Sequence, residues 1–166
     1  MTTKTPYTYT VLRYVHDVAT GEFLNVGVAL HAPAQPFVNV LCRTAYKRLK
    51  DVFPELDGDG FRASMRHVTS QFEKFHDEVR DQLPLRNHAS VMEFAQSVIR
   101  TDDSSLQWSA TGSGLSANPE VTLEQLFERM VTRYDHRTTA TRRDDDDVWR
   151  HFSKALQQRQ VLKPPF

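Results

Sequence analysis

The sequence predicts an α+β protein: a small antiparallel β-meander at the N-terminus packed on amphipathic helices, plus a C-terminal helix after a charged linker. Three observations predict it. Residues 7–43 hold three stretches rich in β-formers, separated by the turn-forming segments "DVATG" and "APAQP". Beyond them, apolar residues recur every three or four positions in several runs. Residues 136–147, "HRTTATRRDDDD", then lose all apolar periodicity and end in four consecutive aspartates.

Each element follows from its own residues. Tyr7–His16 and Glu22–Ala32 read as strands around a turn supplied by Asp17 and Gly21, and Phe37–Arg43 reads as a third. The linkers are too short for a parallel crossover, so an antiparallel meander results. "YKRLKDVFP" is a short helix stopped by Pro54. From Asp59, the residues Phe61, Met65, Val68, Phe72, Phe75, Val79 and Leu83 form one apolar stripe ended by Pro84. "SVMEFAQSVIR" opens with Ser90 as N-cap and Glu93 in capping-box position. "SLQWS" is a short strand, and a loop rich in Ser and Gly follows it. "TLEQLFERMVTRYD" is a helix with Thr122 as its cap. Val148, Trp149, Phe152 and Leu156 mark a last amphipathic helix. The domain reading is therefore an α+β domain over 7–135, a linker over 136–147, and a helix and tail over 148–166, which is either a natural tail or a cut before a further element.

Composition bounds the function. With 166 residues the chain holds one ordinary core. A formal net charge of zero argues against a surface that binds nucleic acid throughout, and leaves room for a local basic patch. The single cysteine, Cys42, excludes an internal disulfide and suits a reducing compartment; in its apolar run it reads as a small core residue. The N-terminus lacks the apolar core of a signal peptide, and no stretch approaches a membrane span. The expected location is cytoplasmic.

The first hairpin carries the candidate site. If His16 faces Glu22 across the turn, then Tyr14 faces Leu24, Leu12 faces Val26, Thr10 faces Val28 and Thr8 faces Leu30. This face is mostly apolar and is expected against the helices. The opposite face then gathers Arg13 with Asn25, Val11 with Gly27 and Val15 with Phe23. Gly27 in a strand marks a close approach of backbone or ligand. Arg13, Asn25 and Gly27, with Glu22 at the edge, form a candidate interaction face. Arg43, Lys47 and Arg48 just downstream extend it as a basic patch. The plainer reading of the same residues is a cross-strand polar pair on a solvated face.

These residues carry a resemblance. Arg13, Tyr14, Asp17, Gly21, Glu22, Phe23, Asn25, Val26, Gly27 and Val28 match the Arg-Tyr…Asp…Gly-Glu-Phe-x-Asn-Val-Gly-Val opening signature of the bacterial domain-of-unknown-function family 3037. The later segments resemble the family in kind, so the resemblance covers about residues 7–134, and residues from His136 onward lie outside it. It brings no catalytic residue. Members of the family are often encoded beside a HipA-like kinase, which implies a protein partner of that kind.

Other chemistry is not indicated. "GSG" at 112–114 lacks the lysine of a phosphate loop, and Cys42 has no motif partner. His67 and His76 stand nine residues apart on one helix, about 13 Å along its axis, too far to share a metal. Asp144–Asp147 lack the spacing of a calcium loop and read as an N-cap and helix-dipole complement. No cofactor and no metal are expected. The leading expectation is a non-catalytic bacterial interaction module, an adaptor or regulatory subunit. The alternatives are a nucleic-acid-binding module using Arg13, Arg43, Lys47 and Arg48, and an enzyme on a phosphorylated substrate with Glu22 or Asp17 as acid or base.

Overall fold

A computed structural model of the chain describes residues 2–81, 90–100 and 104–135. The chain divides into two compact units, Met1–Val131 and Thr132–Phe166, and of the second only Thr132–Asp135 is described. The expected linker, the C-terminal helix and the Asp144–Asp147 run lie outside the described residues. The α+β class holds: an antiparallel sheet is packed with helices.

Strands β1 (Thr5–Asp17), β2 (Glu22–Ala32) and β3 (Phe37–Cys42) form the expected meander. Its first turn depends on Gly21, whose φ of 70° lies in the left-handed region that glycine enters without a Cβ penalty. Asp17 Oδ1 accepts from the Ala19 amide at 2.8 Å and fixes the same turn. Helices α1 (Lys47–Val52), α2 (Gly58–Asp81) and α3 (Val91–Val98) come next. Ser90 caps α3 as its sequence predicts, its hydroxyl accepting from the Met92 amide at 3.2 Å.

The chain then returns to the free side of β1. Strand β4 (Leu106–Trp108) pairs with the second half of β1, and β5 (Gly112–Ser116) pairs with the first half. The stretch expected as a loop is thus the fifth strand. Glycines at 112 and 114 permit it, because the rings of Tyr9 and Tyr7 lie where their Cβ atoms would stand. Helix α4 (Pro119–Phe127) starts three residues before the expected Thr122. Its cap is Asn118, whose Oδ1 accepts from the Val121 amide at 3.3 Å, with Pro119 preset at the first helical position. The helix continues into a π-turn, Glu128–Thr132.

Both faces of the sheet are covered, where one was expected. Phe61, Met65, Val68 and Phe72 of α2, with Leu49, Phe53, Val91 and Ala95, pack on Leu12, Val26, Ala29, Val38 and Val40. On the opposite face Leu123, Leu126 and Val131 pack on Val11, Val28, Leu30 and Ala32. Every residue from Val26 to Ala32 is buried, the pattern of a strand sandwiched on both sides.

The hairpin register corrects the expected one in part. Arg13 pairs with Asn25, Tyr14 with Leu24 and Val15 with Phe23, as read from the sequence. Before Arg13 the pairing slips by one: Leu12 faces Gly27, Val11 faces Val28 and Thr8 faces His31. Val26 is the extra residue of a β-bulge. A one-residue slip sends side chains to the other face. Leu12 and Val26 therefore face α2, while Val28 and Leu30, expected beside them, face α4.

Candidate functional site

Two of the expected site residues, Asn25 and Arg43, converge at the C-terminal end of the α4 segment. The last carbonyls of a helix have no partner within it, and here two side chains from the sheet supply donors. Asn25 Nδ2 donates to the Met130 carbonyl at 3.0 Å, and Arg43 Nη2 donates to the Val131 carbonyl at 2.6 Å. A cation there also complements the negative helix end. Arg43 is buried, and its backbone amide donates to the carbonyl of bulge residue Val26 at 2.7 Å. One residue thus ties the sheet register to the end of the helix. The expected partial exposure of Arg43 gives way to this buried role.

Arg13 differs. Its guanidinium carbon stands 4.3 Å from the centre of the Phe23 ring, a cation–π distance, and Phe23 is 45% exposed. Arg13 Nε and Asn25 Oδ1 are buried with no hydrogen-bond partner among the described residues. At the nearby hairpin end Val18 is also exposed. Glu22, paired in register with Asp17, is exposed there and forms no ion pair among the described residues.

The remaining expected residues lie elsewhere. A Cβ at position 27 would stand 3.0 Å from the Leu41 carbonyl oxygen, 3.2 Å from Cys42 Sγ and 3.4 Å from Leu12 Cβ. Gly27 therefore points to the α2 side, not to the Arg13–Asn25 face, and its smallness serves packing between strands. Lys47 and Arg48 lie on α1, whose Leu49 packs in the α2-side core. The basic stretch is divided between two faces instead of forming one patch.

Cys42 is partly buried, and burial pushes its thiol up to about 11, against a smaller opposing effect of a hydrogen bond with Thr69. A thiol so raised is the opposite of an activated nucleophile.

Sequence reasoning missed Phe23 as an exposed contact residue, although it stands in the matched signature. It missed as well the carbonyls of Met130 and Val131 as the acceptors for Asn25 and Arg43, which no local pattern could reveal across 105 and 88 residues. With this geometry in hand, the family comparison is informative: a model described as a protein of unknown function (DUF3037) matches residues 9–131. The chain belongs to that family. Neither a curated protein nor a solved structure matches it. The DUF3037 match ends at the residue whose carbonyl Arg43 holds, so the matched span contains both partners of that contact. No helix among the described residues is long and apolar enough to cross a membrane.

Proposed function

We propose that this DUF3037 protein is a non-catalytic interaction module, an adaptor or regulatory subunit, that docks a protein partner through Arg13 and Phe23. The arginine stacked on a half-exposed aromatic ring carries this reading. Arginine and aromatic residues dominate binding energy at protein interfaces, and a guanidinium already held on a ring loses little freedom on binding. Val18, exposed at the same hairpin end, adds apolar area. Arg43 is engaged with the helix end, so a nucleic-acid site built on Arg13 and Arg43 together has less support.

Affinity purification of the full chain from its host tests the reading, with nucleic acid digested in a parallel sample. A HipA-like kinase encoded in the host, the partner class the family resemblance implies, is the first protein to seek among those captured. A nuclease-resistant partner should be captured by the parent chain and lost by the Arg13→Ala/Phe23→Ala variant, with both chains melting at closely similar temperatures. Capture unchanged by the double substitution, or abolished by nuclease, would overturn it.

A further inference from the structure

A second surface lies on the α2 side of the sheet. Between the β3–α1 connection and α2 runs a groove of about 560 Å³, floored by Cys42 and Met65, within the range of ligand sites. Its α2 wall is a single stripe: Arg62, Arg66, Ser70 and Glu73 recur at spacings of three and four. Thr44 contributes a hydroxyl from the other wall.

The donors in this groove are uncommitted. Arg66, Ser70 and Thr44 form no hydrogen bond or ion pair among the described residues. Arg62 stands over the Tyr46 ring, 4.9 Å from its centre, a contact that orients its guanidinium without using its N–H groups. The charges are also polarised. Arg62 and Arg66 lie one turn apart at one end, and Glu73 lies seven residues beyond Arg66, about 10.5 Å along the axis.

We infer that this groove binds a phosphorylated peptide segment, with the phosphate between Arg62 and Arg66 and a Lys or Arg of the peptide on Glu73. Two guanidiniums match the charge of a phosphomonoester, about −1.5 to −2 at neutral pH, better than that of a single carboxylate. Their planar forks suit its oxygens. From midway between Arg62 and Arg66 to Glu73 is about 13.5 Å along the axis, or about four residues of extended chain, which sets the spacing of the basic residue. A nucleic-acid backbone would bring phosphates along the whole groove and meet Glu73 with like charge. This inference does not rest on the Arg13–Phe23 surface, which lies on the other face of the sheet.

Fluorescence anisotropy of the full chain with labelled Ala/Ser-rich peptides tests it. The set holds phosphoserine four residues from a lysine, in both orders, the same peptides without phosphate, and versions with alanine for lysine. A single-stranded oligonucleotide of equal negative charge completes it. One phosphoserine–lysine order should bind best, and Arg66→Ala should weaken it roughly tenfold or more, the scale of one charge-assisted hydrogen bond. Glu73→Gln should erase the preference for lysine over alanine while leaving phosphate dependence intact. Arg62 and Arg66 are exposed, so both single variants should keep the parent's melting temperature, and Arg66→Ala alone decides if Arg62→Ala does not. Equal binding of phosphorylated and unphosphorylated peptides, binding unaffected by Arg66→Ala, or tighter binding of the oligonucleotide would each overturn the inference. Because Arg13→Ala/Phe23→Ala leaves this groove untouched, that variant should bind the phosphopeptide as the parent does, which separates failure here from failure of the docking surface.

Discussion

Val26 is the extra residue at the Leu12–Arg13 shift of the β1–β2 ladder, and its side chain is fully buried against the α2-side core. A charge placed there would be stranded without a partner, so Val26→Asp should abolish the cooperative melt, as circular dichroism would show. Arg43 and Arg13 separate at the same scale. Arg43→Ala removes a buried charged donor and leaves the Val131 carbonyl unsatisfied, with an expected loss of about 1.5–3 kcal/mol in urea unfolding. Arg13→Ala loses an exposed stacking contact and should cost about 1 kcal/mol or less. Equal losses would mean that the two arginines share one structural role. Cys42 gives a pH dependence. Its folded-state pKa of about 11 stands above the ordinary value of 9.0, so the folded form holds the thiol proton over a pH range where the unfolded form releases it. The resulting stability is fully present below about pH 9 and is lost as pH rises toward 11. A Cys42→Ser variant followed over that range should show a smaller decline than the parent, and alkylation of the native thiol at pH 8 should be slow.

At the level of elements, β5 shows how two glycines make a strand from a segment of low β-propensity. Tyr7 and Tyr9 lie across it, and a Cβ at Gly114 would stand 2.5 Å from the Tyr7 hydroxyl. Gly114→Val would force that ring aside and should cost about 1–3 kcal/mol despite raising strand propensity, readable as a lower denaturation midpoint. A stabilised variant would mean the ring has another place to go. The β3 edge is closed differently. His76 meets the Val38 carbonyl through Nδ1 at 3.1 Å, and Asn39 Oδ1 accepts from the Val40 amide at 2.8 Å. Side chains thereby occupy backbone groups that an edge strand would otherwise offer to another chain.

For the molecule as a whole, the covered sheet decides where function can reside. With helices on both faces of the unit Met1–Val131, the hairpin face read as open is largely interior. The hairpin end at Phe23 and the groove along α2 stay accessible beside the covered faces. Residues 136–147 carry arginines at 137, 142 and 143 and no apolar periodicity. Brief trypsin treatment should cut there first and leave a fragment ending near the second unit's start, as mass spectrometry would show. Cleavage within residues 5–60 at the same rate would count against an independently folded first unit.

The sequence by itself determined the α+β class, the meander, the α2 stripe, the Ser90 cap and the pairing of Arg13 with Asn25. These rest on local rules: periodicity, turn residues and the hydrogen bonds of a single helix end. Asn118-Pro119 and the run Val26–Ala32 also carry legible signals, for a helix start and for two-sided burial. Only the tertiary structure decided the bulge at Val26, the strand at Gly112–Ser116, the facing of Gly27 and the burial of Arg43. Each depends on a partner far along the chain: the ladder across the hairpin, the tyrosine rings over the glycines, the Cys42 sulfur, the Val131 carbonyl. A bulge leaves no mark on periodicity until the opposing strand fixes which residue is extra. An arginine reads as surface until a helix end arrives to accept its hydrogen bonds.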